Sequence, residues 1–311
     1  MNLKLFTLIG ILLCAPLSGC LDDSVADNQE QECVTLPAGH DDDGKLRILS
    51  YDVLALTDSM VEEFESSSGM EVEFIKESDA GGILDQMMLT KSAQQADLMI
   101  GLDNSYLKTA IDNCLLRETL FTQSPQFENI STSALKPYQG ELAIPFDQGT
   151  VCLNYDENYV DGENVTLPTS LWNLTEPQWN GKTAFPSPLS SSPGRAFMIA
   201  TIEYFENDDD NQTDAFDWWS EMSDNGATFT SGWTEAYETH YTGGYGEYTV
   251  GYIGDSHLTV SYCHSPGVEA FYSSNFTHST SLNLPKSSFH QVEYVGIING
   301  ATNVAGAELF I

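Results

Sequence analysis

The spacing of apolar and polar residues changes several times between residues 45 and 103, and each change marks an element. "KLRILSYD", starting at Lys45, is dominated by apolar positions and reads as a buried strand. "TDSMVEEFESSSG" follows with a helical pattern: Thr57 or Asp58 as N-cap, Met60, Val61 and Phe64 as an apolar stripe, and Gly69 as the stop. "MEVEFIKE" alternates and predicts a strand, "GGILDQMMLTKS" a helix, and "ADLMIGLD" a further apolar strand. This βαβαβ order predicts a parallel sheet with helices packed on it. Ligands of such sheets sit beyond the carboxyl ends of the strands, which here carry Tyr51-Asp52, Ser78-Asp79 and Asp103-Asn104. After the long extended segment "ELAIPFDQGTVCLNYDENYV", a second block with its own strands and helices runs from "PTSLWNLTEPQW" through "AFDWWSEM" to "HLTVSYCHSP". "HQVEYVGIING" then returns as a strand. Two α/β lobes joined by extended crossings form the predicted architecture.

The N-terminus lies outside this pattern. Lys4, the apolar run Leu5 to Ala15 and the small residues of "APLSGC" predict a signal peptide over residues 1–19, with Cys20 as the lipidated first residue of the mature chain. The acidic stretch that follows, "LDDSVADNQEQE", predicts a solvated tether over residues 20–44, holding the domain at the outer face of a prokaryotic cytoplasmic membrane. Charge agrees with that setting. The chain has 46 Asp and Glu against 11 Lys and Arg, a formal net charge of -35, yet only 18% of its residues are charged. The acidity therefore comes from missing cations, as on a surface adapted to high salt, and it argues against a nucleic-acid partner. Cys33, Cys114, Cys152 and Cys263 remain after export; four cysteines allow three pairings, and spacing does not choose among them. Sequons at Asn129, Asn164, Asn173, Asn211 and Asn275 also fit an exported chain.

Candidate chemistry is sparse. The absence of a CxxC or CxxH cluster argues against a structural zinc site, and no cofactor is expected. A secreted hydrolase is disfavoured. There is no GxSxG and no HExxH, and Cys263 and His264, adjacent at a strand end, point to opposite faces. Two stretches read instead as binding features. In "FTSGWTEAYETHYTGGYG", Trp233, Tyr237 and Tyr241 are spaced to line one helix face. "SSSPGRAF" reads as a helix start with Ser192 as N-cap and Pro193 at the first position, where free N–H groups attract anions.

Seven pieces occur in one order along the chain: "SYD", "GLDNSYL", "IPFDQG", "SSSPG", "SGWTEAY", "VSYCHSP" and "QVEYVG". In that order they resemble the thiamine-binding proteins of ABC transporters, within the type II extracytoplasmic solute-binding proteins. The resemblance covers residues 46–311. It implies a monomeric two-lobed clamshell, each lobe a mostly parallel sheet flanked by helices, with lobe 1 made of residues 45–145 and 267–311 and lobe 2 of residues 146–266. Such a protein catches thiamine or its phosphates without chemistry and passes them to a membrane permease. The hinge would lie at "IPFDQGTV" and at a return crossing near Pro266. The resemblance implies that Trp233 stacks on the ligand, a cation–π contact of about 0.5–2 kcal/mol, while Tyr237, also a candidate contact, and Tyr241 are expected to pack behind it. It also implies contacts from Tyr51, Tyr262 and the carboxylate of Asp79, while Ala80 stands where the family prefers Gly. A phosphate would rest on Ser191, Ser192 and the Gly194 amide, with Arg195 nearby. The resemblance further implies a Cys152–Cys263 disulfide and, with it, Cys33–Cys114.

The chain departs from the family at Val268, where an aromatic is expected, and in "VLALTD", which has none. It ends at "GAELFI", before the closing helix and Trp-bearing segment of the family, so lobe 1 is expected to be incomplete at its C-terminal part. Carriers of a polyamine or of ferric iron are the alternative readings. The "YTGGYGEYTVGYIGD" stretch, longer than the family's link, is expected to form a surface hairpin outside the site.

Overall fold

The computed structural model describes residues 33–311 apart from 53, 55, 161, 163–164, 208–213 and 273–277. The expected signal peptide, Cys20, the first part of the tether and the sequons at Asn164, Asn211 and Asn275 lie outside the described residues.

The first five elements follow the apolar rhythm: β1 (Lys45–Tyr51), α1 (Asp58–Ser68), β2 (Glu71–Glu77), α2 (Ala80–Leu89) and β3 (Leu98–Asp103). Thr57 caps α1 by accepting the Met60 N–H, and Gly69 ends it in the left-handed conformation at φ 73°. The predicted stripe is only partly used. Phe64 meets Phe310 edge-on, with ring centroids 4.9 Å apart, whereas Met60 is exposed.

The chain continues through α3 (Leu107–Asp112), β4 (Leu116–Arg117), β5 (Ile144–Asp156), β6 (Thr183–Pro186), α4 (Ser192–Glu206) and α5 (Ala215–Asp224). It closes with β7 (Thr228–Thr230), β8 (Leu258–Tyr262), α6 (Ser265–Tyr272), β9 (Ser279–Leu282), β10 (Phe289–Ile298) and α7 (Val304–Phe310). The strands form one sheet in the order β2-β1-β3-β10-β5-β8-β6-β7. Parallel pairing joins β2, β1 and β3 at one end and β8, β6 and β7 at the other. Between them β10 and β5 run antiparallel to each other and to their outer neighbours.

Each parallel end has its own core. Around β1 and β3, Leu49 and Met99 pack with Ile83 and Met87 of α2 on one face, while Leu46, Ile48, Leu98 and Ile100 meet Ala307 and Phe310 on the other. At the far end Val151, Leu153, Phe185, Phe197, Trp218 and Val260 share a separate cluster. Leu282, Leu284 and Phe289 belong to that second cluster. The chain therefore leaves this end on β10, later than the return crossing expected near Pro266, because β9 first pairs with β5.

Residues 33–44, which composition assigns to the tether, are fastened to the first end of the sheet. Gly39 N–H donates to Gln94 O (2.6 Å), and Arg47 pairs with Asp43 (2.8 Å). Cys33 is bonded to Cys114, with Cα atoms 5.5 Å apart, and Cys152 to Cys263, with Cα atoms 5.4 Å apart. The second bridge spans 111 residues, a separation at which closing a loop restricts the unfolded chain strongly, worth about 2–4 kcal/mol. Replacing both Cys152 and Cys263 by Ser is expected to lower the melting temperature by roughly 4–15 °C. Differential scanning calorimetry tests this, and an unchanged melting temperature would show that the bridge adds no stability.

Candidate functional site

A cavity of about 370 Å³ opens beside the crossing strands, at the carboxyl end of β1 and the N-termini of α2 and α4. Tyr51 is placed there by Gly101. At φ +101° this glycine suits no other residue, and an added Cβ would come within 2.2 Å of the Tyr51 ring. The Tyr51 hydroxyl donates to Glu293 Oε2 at 2.6 Å. Burial and that carboxylate push its pKa up, so it stays a donor.

Asp79 caps α2 and also reaches the start of α4. Its Oδ1 accepts the N–H of Ala80 at 2.8 Å and the N–H of Ser192, in the first turn of α4, at 3.0 Å. Burial pushes its carboxyl up to about 6, and those two N–H groups oppose the rise. A second contact between α2 and the segment before α4 lies alongside: Gly81 N–H donates to Ser190 O at 3.2 Å. Ser192 also donates its hydroxyl to Asp103, a buried carboxyl that desolvation pushes up.

The cap of α4 is Ser191, one residue before the position expected from sequence, and its Oγ accepts the Gly194 N–H at 3.4 Å. Asp79 and Ser192 line the cavity, whereas Ala80, Ser191 and Gly194 are buried behind the wall. Gly194 is needed for that packing, since a Cβ would lie 2.3 Å from Pro186 O. The amides that sequence reserves for a phosphate thus already serve Asp79 and Ser191. Arg195 sits elsewhere, its guanidinium 4.4 Å from the centroid of the Tyr106 ring.

The aromatic stretch forms a wide π-helical turn at Glu235–His240, in which Tyr241 N–H donates to Ala236 O, five residues back. Half-buried Trp233 lines the cavity, stacks on Tyr237 (ring centroids 5.0 Å apart, planes at 14°) and donates from Nε1 to Ser261 Oγ at 2.8 Å. Tyr237 also reaches the wall and donates its hydroxyl to Glu269. Tyr241 is fully buried and bonded to Ser279. The glycine-rich stretch differs from its expected hairpin. It holds a short helical turn, Tyr245–Tyr248, and Tyr245 joins the wall. Gly246 makes this possible, because a side chain there would lie 2.2 Å from Glu238 O.

Tyr262, at the end of β8, accepts Gln291 Nε2–H at 3.0 Å and completes the aromatic lining. Sequence reading missed the carboxylates that accompany it: Asp147 of β5, Glu269 of α6 and Glu293 of β10. Burial pushes both Asp147 and Glu293 up. The available signal was a polar residue on an inward position of an apolar strand, as in "HQVEYVG", where Gln291 and Glu293 share a face. With Asp79 they give the wall four carboxylates, and no Lys or Arg lines it. Such a cavity is suited to a flat or slender cation.

A family model for the bacterial extracellular solute-binding proteins matches residues 59–311. The chain belongs to that family. Among curated relatives, this solute-binding protein is 24% identical over 233 residues to a thiamine-binding periplasmic protein of Escherichia coli K12, and 23% identical over 255 residues to one of Salmonella typhimurium. The matches cover 74% and 80% of this chain but 62% and 68% of those relatives, so it spans under two thirds of the length of the E. coli protein. Solved structures show the same two-lobed periplasmic-binding-protein fold. A periplasmic thiamin-binding protein superposes with a TM-score of 0.68 at 22% identity, covering 89% of this chain and 80% of that one. A spermidine/putrescine substrate-binding protein of Streptococcus pneumoniae gives 0.60 at 15%, covering 86% and 76%.

Proposed function

We propose that this solute-binding protein captures thiamine between its lobes and delivers it to an ABC permease, acting as a monomer tethered to the membrane through Cys20. The observation that carries this reading is the pairing of stacked aromatics, Trp233 on Tyr237, with four carboxylates on the same cavity wall. Thiamine carries a flat, positively charged thiazolium ring and an aminopyrimidine ring, which suits both. The curated relatives named for thiamine point the same way. Lobe 1 is then the half-sheet β2-β1-β3 with its two helical layers, lobe 2 the half-sheet β8-β6-β7, and β5 and β10 the hinge. No chemistry on the ligand is required. A polyamine is the second reading, favoured by the number of carboxylates alone.

Within the thiamine class the same wall favours the unphosphorylated form. A phosphate at the start of α4 would displace Asp79 from the Ser192 N–H or stand against its charge. Isothermal titration is expected to give thiamine diphosphate an affinity weaker than thiamine by about tenfold or more, and Asp79→Ala is expected to narrow the gap. Equal affinities in the wild type would refute the preference, and spermidine binding without thiamine binding would replace the ligand.

A further inference from the structure

We propose that Glu293 carries a proton in the ligand-free protein and releases it when a cation enters the cleft, with Asp147 opposite it as the second half of the charge-reading pair. This rests on the reading that the ligand is a cation, and it adds where that charge is read: at the hinge strands, away from Trp233.

The pairing is set by register. Glu293 of β10 lies directly across from Asp147 of β5 in the antiparallel ladder, and both side chains line the cavity. Opposed residues in such a ladder have Cβ atoms about 4.5–5.5 Å apart, and like charges there are destabilising. The two sites are unequal. Glu293 is 5% exposed and Asp147 is the more exposed of the two, so the cost of ionising the second carboxyl falls on Glu293.

The surroundings of Glu293 include no Lys or Arg on the wall. Tyr51 reaches it from β1 (2.6 Å) and Gln291 from its own strand (3.0 Å to Oε1), while Tyr262 of β8 holds the Gln291 amide. Asp103 of β3 and Asp79 of α2 add negative charge. His264, after β8, favours ionised Asp147 when it is itself protonated. Desolvation first, and Asp147 next, push the Glu293 pKa well up, while the Tyr51 hydrogen bond works against them.

Both Glu293 oxygens nevertheless have a donor aimed at them, an arrangement that suits a carboxylate. Gln291 Oε1 is buried with no donor among the described residues. A ligand bearing positive charge and an N–H group would supply what both lack. The exchange balances: a carboxylic acid and a cation become a carboxylate–cation pair, and one proton leaves to solvent.

The test has two arms. Infrared spectroscopy of the ligand-free protein at neutral pH is expected to show a carboxylic-acid C=O band that Glu293→Gln removes and that Asp147→Asn keeps but shifts to a lower titration midpoint. Calorimetry with thiamine in buffers of different ionisation enthalpy is expected to count close to one proton released per ligand. Below the Glu293 pKa the dissociation constant should then tighten by up to about tenfold for each unit that the pH rises, and level off above it. Absence of the band in the wild type, or a band undiminished in Glu293→Gln, overturns the proposal, as does thiamine binding without proton release; Asp103 and Asp79 account for any smaller band that remains. If thiamine produces no heat while the band is present, the thiamine reading fails and the protonated Glu293 stands. Loss of the band on adding spermidine then supports the exchange, and spermidine binding that leaves the band in place overturns it.

Discussion

Trp233→Ala is expected to weaken thiamine binding by about fivefold to thirtyfold, measured by titration calorimetry. The substitution removes the ring that lines the cavity and leaves Tyr237 without its stacking partner. A cation over a desolvated indole contributes about 1–2 kcal/mol, and a factor of ten corresponds to 1.4 kcal/mol. Trp233→Phe keeps a flat face but loses the Nε1–H donated to Ser261, so it should recover part of the loss. An unchanged affinity in Trp233→Ala would return this residue to a packing role.

A second substitution should separate stability from binding. Gly81 lies in the first turn of α2 and touches the other lobe. A Cβ there would lie 2.6 Å from Ser190 O and 2.9 Å from Ser190 Cα, both backbone atoms with little room to give. Gly81→Ala therefore penalises the conformation in which the lobes meet, by about 1–3 kcal/mol if overpacking in cores is a guide. Affinity falls by the fraction of molecules left competent to close, so the dissociation constant should rise by about fivefold to 150-fold. The same change favours helix over coil by up to about 1 kcal/mol, so the melting temperature of the ligand-free protein should hold or rise. Wild-type affinity in Gly81→Ala would show that binding does not need these lobes to approach as they do here.

What the sequence made legible was governed by local spacing. The caps of α1 at Thr57 and Gly69 and the strands on either side of it follow from residues within a few positions of one another. The π-helical turn did not, because rings four residues apart share a face in an α-helix and also line this wider turn; the difference lies in which carbonyl Tyr241 N–H reaches. Tyr245 was hidden for a related reason. Glycines such as Gly246 announce a turn without saying what the turn packs against, and here it folds back on Glu238. The Asp147–Glu293 pair was least visible. Each residue sits in a strand whose apolar neighbours dominate the pattern, and their meeting is a matter of strand register across more than half the described chain. Of the residues that the resemblance singles out, Tyr51, Asp79, Ser192, Trp233, Tyr237 and Tyr262 line the cavity, while Ser191, Gly194 and Ala80 are buried behind it.

The placement of the tryptophans also has an optical meaning. The chain has five. Trp172, Trp179, Trp218 and Trp219 all belong to the second core cluster or pack against it, and Trp233 alone lines the cavity. Four indoles thus give a steady background emission, and the fifth is the one a solute can quench, so the protein contains its own fluorescent reporter of occupancy at a single known position.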